Sequence, residues 1–193
     1  MTEEQMRWLK RNRVIIAGEI DRNTLMYVRQ VFEIKVGEGS PDLTVHISSN
    51  GGNVSNGLDV YDLLKFYQGK KIGVVQGFAA STAAVILQVC DWRTATTYSD
   101  VLIHHVSNQN LRLDVARDPV ELAKFIQKME DSQSKLYDIL VGRTGKTLEE
   151  IRDTCKLDEP MPAPAALSYG LIDQVIATES DIRAPWMVQS LMI

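Results

Sequence analysis

The sequence predicts an α/β fold in which a parallel sheet is covered by crossover helices. Three runs rich in β-branched residues, at 13–20, 43–49 and 71–78, alternate with segments whose apolar residues recur at helical spacing. This alternation indicates parallel strands, because each return to the same end of a sheet needs a crossover connection. A chain of 193 residues can bury one substantial core, so a single domain is expected over 1–193.

The first half of the chain contains three predicted strand–helix pairs. The pairs are 13–20 with 21–34, 43–49 with 54–68, and 71–78 with 81–90. The second strand ends in the turn Asn50-Gly51-Gly52, and Ser81 opens the third helix. Both features therefore lie at the carboxyl ends of strands, where the functional loops of α/β proteins gather.

The second half is predicted to contain three more strands, at 92–97, 100–107 and 171–176. It is also predicted to contain a long helix over 119–141, a short helix that begins at residue 148 and a last helix over 163–169. Asp118 is expected to cap the longest helix, since Pro119 suits its first position and Glu121 completes a capping box. On periodicity alone, this helix either protrudes toward a neighbouring subunit or lies across the sheet as a core helix. The tail at 178–193 either docks on a partner subunit or trails loosely.

The composition argues against several classes of function. A net charge of −4 disfavours nucleic acid as the main partner, because phosphate binding needs a concentrated basic face. The charged N-terminal segment lacks the apolar stretch of a signal peptide, and no apolar run approaches the roughly 20 residues of a membrane span. These features predict a soluble, cytoplasmic protein. Cys90 lies in an apolar run, which favours a buried free thiol over a disulfide bridge.

Ser81 has two interpretations. Serine is among the best helix N-caps, and a cap is the commoner role for a serine that precedes an apolar helix. The residues around it are small, however, so a substrate backbone can approach closely; they are Gly77, Ala79, Ala80, Ala83 and Ala84. The start of a helix also favours a developing negative charge. As a nucleophile, Ser81 would need a base and two backbone donors for an oxyanion.

The three histidines are the candidate bases. His46 is most simply a strand residue. His104 and His105 are adjacent, so in an extended segment their side chains face opposite ways. One of them can reach a site while the other faces a helix or a neighbouring chain. The turn at Gly51-Gly52 is either an ordinary turn that positive φ permits, or a place where a substrate carbonyl reaches backbone amides.

Four segments resemble the proteolytic subunit of the Clp protease, ClpP. They are HISSNGGNVSNGLDVYDLLK, GFAASTAAVIL, VLIHHVS and GKTLEEIRDTCKLDEPMPAPAALSYGLIDQVI, and the similarity extends over about 13–176. The resemblance implies an α/β, ClpP/crotonase-like fold with repeated β-β-α units and a protruding long helix. It implies a head formed by 1–115 and 146–193, with a handle helix over about 116–145 between two rings.

The resemblance also implies a serine endopeptidase with a Ser-His-Asp triad. Ser81 matches the nucleophile, His104 matches the general base, and Asp158 in the segment CKLDEP matches the acid. Gly52 and Thr82 match the backbone donors of the oxyanion hole. Only the family pattern distinguishes Asp158 from the other acidic residues at 147–159, which would otherwise be interpreted as solvated surface.

Other expectations concern ligands and partners. Gly51 and Val106 fall in segments that bind substrate in the family. No metal is implied, and no cofactor is implied in the subunit itself, since ATP enters only through a partner unfoldase. The implied partners are copies of the chain in heptameric rings that form a tetradecamer, a Clp-type AAA+ unfoldase or host ClpP subunits, and unfolded polypeptide substrates. Neither nucleic acid nor a membrane is implied.

The chain departs from the family pattern in places that matter for these partners. Thr44 and His46 replace aromatic residues associated with the unfoldase docking pocket, and the N-terminal loops that contact an unfoldase are expected to be absent or very short. The segment after His104 lacks the Pro and Gly-Gly pattern and is longer than usual, and Leu157 replaces an arginine before the triad aspartate. These departures indicate a divergent or accessory member, for which a phage-encoded origin is one interpretation.

Two further functions compete with the peptidase. A non-catalytic ring subunit would shape a mixed assembly, but it would not need Ser81, His104 and Asp158 together. An acyl-CoA enzyme of the related crotonase fold would share the glycine-amide oxyanion hole, but it needs no serine paired with an Ile-His strand. A capsid-maturation peptidase is a variant of the peptidase hypothesis, because it uses the same chemistry.

Overall fold

The computed structural model describes residues 1–107 and 111–189, and it confirms the α/β fold class. Its strands are β1 Arg13–Ile20, β2 Leu43–Gly52, β3 Lys71–Ala80, β4 Trp92–Thr96, β5 Asp100–Leu102, β6 Met161–Pro162 and β7 Gln174–Ile176. Within the described residues they form one sheet in the order β1-β2-β3-β4-β7, with β5 beside β3 and β6 beside β5. The strands pair in parallel except for β5 with β6, as crossover helices require.

The helices cover this sheet and extend beyond it. They are α1 Glu3–Leu9, α2 Arg22–Gly37, α3 Val54–Phe66, α4 Thr82–Leu87, α5 Leu113–Arg117, α6 Pro119–Thr144, α7 Leu148–Leu157, α8 Ala163–Tyr169 and α9 Pro185–Gln189, with a 3-10 turn at Glu179–Asp181. Among the described residues, none of the helices combines the length and apolar character needed to cross a membrane.

The long strands are each divided by a break in register. The pairing shifts between Ala17 and Glu19 in β1, and between Ile47 and Ser49 in β2. The first half of β3 pairs with β4 and its second half pairs with β5. Each strand therefore behaves as two consecutive segments followed by a helix, which is the repeated β-β-α unit expected from the resemblance.

The main core lies between the sheet and helices α2 and α4. It contains the inward-facing residues of β1 to β3, such as Val14, Val45 and Val75, which are all fully buried. α4 is buried along its entire length, so the end of β3 and the start of α4 are held rigidly. Ser81 lies at that junction.

Burial along α6 is confined to its C-terminal half. The helix begins at the cap Asp118, whose carboxylate accepts from the N–H groups of Val120 and Glu121, and it ends at Gly145 in the left-handed conformation. Its buried residues are Leu136, Tyr137 and Leu140. The helix is about 39 Å long. Its first half contains no buried residue, which favours the protruding alternative over a helix lying across the sheet.

Several predicted boundaries were wrong. The strand predicted over 100–107 ends at Leu102, because the next residues bind side chains of other elements instead of a neighbouring strand. The last strand begins at Gln174 rather than at residue 171, and the third helix ends at Leu87 rather than at residue 90. The second strand continues through the glycine turn to Gly52.

The C-terminal tail docks on the sheet of its own chain as far as it is described. Ile182 and Ala184 are buried in a small cluster with Ile72 and Ile176. This contact excludes the loosely trailing alternative for that part of the tail. Residues 190–193, which the prediction for the tail includes, lie outside the described residues.

Candidate active site

Ser81 lies between β3 and α4 in a strained backbone conformation. Its φ of 56° and ψ of −125° are unusual for a residue with a side chain. The backbone occupies the N-cap position of α4, but the hydroxyl makes no cap hydrogen bond. Instead, the Ser81 N–H donates to the carbonyl of Leu102 at 2.9 Å. The simple cap interpretation is therefore wrong, and the half-buried hydroxyl is left without a capping role.

The glycine turn at the end of β2 packs directly against Ser81. Gly51 has a φ of 87°, and a Cβ at this position would lie 2.7 Å from the Cβ of Ser81 and 3.1 Å from the amide nitrogen of Thr82. Any side chain at Gly51 would therefore collide with Ser81 and cover the first amide of α4. Gly52 has a φ of 153°, and a Cβ there would lie 2.5 Å from the carbonyl oxygen of Ile20 on β1.

Hydrogen bonds fix the amides on both sides of Gly52. The Gly51 N–H donates to Oγ of Ser49 at 3.0 Å, and the Ser49 hydroxyl donates to the carbonyl of Gly18. The Asn53 N–H donates to the carbonyl of Ile20 at 2.8 Å. The amides of Gly51 and Asn53 are therefore already bound to protein acceptors. Ser49, which sequence reasoning missed, holds the turn in place.

Strand pairing brings His104 and Asp158 to the same edge of the sheet as Ser81. β5 pairs with β3 as far as Leu102, which lies opposite Ala80. Ser81 and His104 therefore come just after the paired ends of the two strands. β6 pairs antiparallel with β5 and places Met161 opposite Val101, so the chain that precedes β6 returns past His104. Asp158 lies in that returning segment, with a left-handed φ of 52° at the C-cap of α7.

The side chains of Ser81, His104 and Asp158 do not form a complete hydrogen-bonded triad. Nδ1 of His104 lies 3.9 Å from Oδ1 of Asp158, which is longer than a hydrogen bond. The His104 side chain is 24% exposed and that of Asp158 is 65% exposed. Within the described residues, no hydrogen bond joins the Ser81 hydroxyl to His104. Catalytic hydrogen bonds are often long in the absence of substrate, so this geometry is compatible with the predicted roles.

The adjacent histidines contact different elements of the fold. Nδ1 of His105 is hydrogen-bonded to the hydroxyl of Tyr137 on α6 at 2.7 Å, and the two rings meet edge to face. His104 faces Asp158 instead. His46 is buried within β2, where its Nδ1 lies 3.0 Å from Oε1 of Gln76, and burial lowers its pKa. His46 is thus part of the strand core, as the simplest interpretation of the sequence predicts.

The segment after His104 is held by α6. The backbone N–H of Val106 donates to Oε1 of Gln133, and the side chain of Val106 packs against Tyr61, Val85 and Leu136. The sequence alone did not predict the role of Gln133. Its position on the helical face of Leu136 and Tyr137 was the available signal, since both are three to four residues away.

A pocket of about 280 Å³ lies beside the glycine turn and the segment that follows His104. It is bounded by Gly52 and the start of α3, by the segment at Val106, and by α6; the lining residues are Gly52, Asn53, Val54, Ser55, Val106, Ser107, Phe125, Lys128, Met129 and Ser132. It contains Gly52 and Val106, whereas Gly51 lies behind it against Ser81. Phe125 and Met129 lie at helical spacing in the apolar stripe of α6, but that spacing alone cannot show that they line a pocket.

Neither cysteine is a competing nucleophile in this structure. Both are free and buried, which confirms the prediction for Cys90. Burial raises the pKa of Cys90 to about 12. Burial, with a smaller contribution from the negative charge of Asp158, raises the pKa of Cys155 to about 11. Both thiols are therefore protonated near neutral pH, when the reactive form would be the thiolate.

The fold defines the class to which the chain belongs. A parallel sheet built from repeated β-β-α units, with a glycine turn packed against a serine at its carboxyl edge, is a ClpP/crotonase-like architecture. The model of the Clp protease family matches residues 2–179. The chain therefore belongs to the Clp protease family and is, at the level of the family, a protease.

A curated relative supports this membership. The chain is 28% identical over 187 residues to a protein of Cutibacterium acnes (strain DSM 16379 / KPA171202) described as "ATP-dependent Clp protease proteolytic subunit 2". The similarity covers 95% of this chain and 86% of that protein. At this level of identity the chain is a divergent member, as the departures in its sequence predict.

Proposed function

We propose that the chain is a serine endopeptidase of the ClpP type, which hydrolyses peptide bonds of unfolded polypeptides or peptides inside an oligomeric ring chamber. The conformation of Ser81 carries the proposal. Its strained φ and uncapped hydroxyl, at the end of β3, suit a nucleophile better than a helix cap. The His104–Asp158 pair is proposed to provide the other two side chains of a triad.

In the proposed reaction, Ser81 Oγ attacks the carbonyl carbon of the scissile peptide bond. Nδ1 of His104 faces Asp158, so Nε2 is the nitrogen that accepts the serine proton and later delivers it to the leaving amine. Asp158 holds the imidazole in this tautomer and stabilises the imidazolium. This requires the His104–Asp158 separation of 3.9 Å to shorten to about 2.8 Å when substrate binds or subunits assemble.

The oxyanion of the tetrahedral intermediate is proposed to bind the amides of Gly52 and Thr82. The amides of Gly51 and Asn53 are already bound within the protein, so Gly52 is the donor that the turn can offer. Thr82 is the first residue of α4, where an amide has no partner within the helix. Water then hydrolyses the acyl-enzyme by the same route, with His104 as the base.

The chamber and the partners form the second part of the proposal. Clp family membership supports assembly into heptameric rings, paired as a tetradecamer, with α6 as the handle helix between rings and residues 1–115 and 146–193 as the head. The subunit itself uses no cofactor, and ATP enters only through a Clp-type unfoldase. The relative from Cutibacterium acnes is named as an ATP-dependent protease subunit, which supports such a partner. Host ClpP subunits remain a proposed alternative partner.

Labelling with a serine-reactive fluorophosphonate tests the enzyme directly. The assembled wild-type protein is expected to bind the probe covalently, and Ser81→Ala is expected to remain unlabelled, because the probe reacts with an activated serine hydroxyl and Ser81 is the proposed nucleophile. Labelling is read by intact mass.

Thr82→Ser is the matched control, since it keeps a hydroxyl next to Ser81 and leaves the nucleophile in place. Native mass measured on the same samples separates an inactive scaffold from an unassembled monomer. An assembled ring that resists labelling would overturn the enzyme in favour of the non-catalytic subunit. Tight binding of coenzyme A by the unlabelled protein would favour the acyl-CoA enzyme.

A further inference from the structure

The pocket beside Gly52 has a mixed lining. Its apolar walls are formed by side chains of Val54, Val106, Phe125 and Met129, and hydroxyl and amide groups line its remaining surface. Lys128 is the one charged residue among the lining residues that the structure describes, and none of those residues is acidic. The pocket therefore combines apolar contact area with a single positive charge.

Lys128 differs from the other lysines of α6 in its surroundings. Lys124 forms an ion pair with Glu121 at 2.7 Å. Lys135 lines a different groove, which also contains the carboxylates of Asp59, Asp62 and Asp138. In the described part of the chain, no carboxylate lies within ion-pairing distance of the Lys128 ammonium group. Among the described residues, the Lys128 ammonium group therefore has no ion-pair partner at this pocket.

Two of the lining residues adjoin the proposed catalytic residues along the chain. Gly52 is the proposed oxyanion donor and follows the glycine that packs on Ser81. Val106 is two residues beyond His104. A peptide whose scissile carbonyl binds between Ser81 and Gly52 would therefore extend past this pocket.

We infer that this pocket selects substrate side chains that end in a carboxylate, with Lys128 as the residue that determines the preference. The methylene groups of a glutamate would lie against Phe125 and Met129, while its carboxylate would pair with the Lys128 ammonium group. A lysine or arginine side chain would bring a like charge into the same space. This inference rests on the proposed peptidase function, because it assigns the pocket to the substrate of that site.

The test compares three blocked fluorogenic peptides that differ only in having Glu, Gln or Lys at one position beside the scissile bond, with each flanking position tried in turn. Acetylated and amidated ends make the side chain the only varied charge. At low ionic strength, the wild-type protein is expected to prefer Glu to Gln by roughly twofold to fivefold in kcat/KM, as a partly exposed ion pair allows. The preference is expected to disappear near 1 M salt, where charges are screened within about 3 Å.

Substitution of Lys128 gives the sharper result. Lys128→Gln is expected to remove the difference between the Glu and Gln peptides, and Lys128→Glu is expected to reverse it in favour of Lys. Lys124→Gln is the matched control, because Lys124 lies one turn away on α6 and lines no part of the pocket. Equal rates for Glu and Gln peptides at every position, or an unchanged preference in Lys128→Glu, would overturn the inference.

Binding separates failure of this inference from failure of the proposed function. The same three peptides are titrated, with a fluorescent end label, against the Ser81→Ala protein and its Lys128→Gln derivative by anisotropy. Tighter binding of the Glu peptide that depends on Lys128 supports the inference even if no peptide is cleaved by the wild type, in which case only the catalytic proposal fails. Equal affinity for the Glu and Gln peptides contradicts the inference regardless of activity.

Discussion

At the scale of single residues, His104 and His105 are neighbours with different surroundings. His104 faces Asp158, whereas His105 is bound to the hydroxyl of Tyr137 on α6. Replacement of the base should abolish proton transfer, so His104→Ala is expected to lower kcat by roughly four orders of magnitude, measured with a fluorogenic peptide. His105→Ala should retain most activity and lose about 1 kcal/mol in the free energy of unfolding, measured by urea denaturation.

The two variants act as controls for each other, because each removes one imidazole from the same segment. Tyr137→Phe separates the structural contribution further, since it removes only the hydroxyl that binds His105. It is expected to resemble His105→Ala in stability and wild type in activity. Loss of cleavage in His105→Ala together with retained cleavage in His104→Ala would reverse the assignment of the base.

The sequence was sufficient to identify the candidate residues but not their geometry. Ser81, His104 and Asp158 were identified by a family pattern, and the structure brings them to one edge of the sheet. The positive φ of Ser81 could not be predicted, because the surroundings that accommodate it, including Gly51 and the carbonyl of Leu102, come from distant parts of the chain. The sequence shows Lys128 only as one charge on a helix, because its place in a pocket with Gly52 depends on contacts between distant parts of the chain.

At the scale of elements, α6 holds the segment that follows His104. The Gln133 side chain accepts a hydrogen bond from the Val106 N–H. Gln133→Ala would free this amide and allow the segment to move, so His104 would spend less time in its productive position. The loss of about 1 kcal/mol for one hydrogen bond predicts a roughly fivefold decrease in kcat/KM. The decrease is measured with the same fluorogenic peptide.

Gln127→Ala is the matched control for that variant. Its Nε2 donates to Asp131 on the same helix at 2.9 Å, so its removal leaves the bond to Val106 intact. Activity in Gln127→Ala is expected to remain near that of the wild type. An equal decrease in both variants would mean that α6 is destabilised as a whole and that Gln133 has no particular effect on the segment.

Element types were easier to predict than element ends. Local periodicity predicted the alternation of strands and helices, and the elements β1 to β3 and α2 to α4 have the predicted types. The strand predicted over 100–107 is shorter because the bonds of His105 and Val106 to α6 replace strand pairing, and these are contacts across distant parts of the chain. α1 was not predicted, although Thr2 and Gln5 form a capping box that the sequence displays.

Across the whole molecule, apolar side chains in the first half of α6 remain exposed within the part of the chain that the structure describes. Val120 is 62% exposed and Ile126 is 47% exposed, while no residue before Leu136 in this helix is fully buried. Apolar side chains on a helix that leaves the core need a partner surface to be removed from water. Leu157, next to Asp158, is also 65% exposed. These surfaces support the proposed assembly of rings through α6.

A joint between rings through α6 would determine the size of the assembly. If α6 joins two rings, the native mass should correspond to about fourteen subunits, measured by light scattering on a sizing column.

Ile126→Glu should shift the protein toward smaller species, because a carboxylate buried in the contact would lose its hydration without a partner. Gln127→Glu adds the same charge about 100° around the helix and should leave the assembly more nearly intact. Smaller species should cleave peptides more slowly if assembly also shortens the His104–Asp158 distance of 3.9 Å. A stable monomer with full activity would refute the chamber, and a tetradecamer unaffected by Ile126→Glu would place the joint elsewhere than on this face of α6.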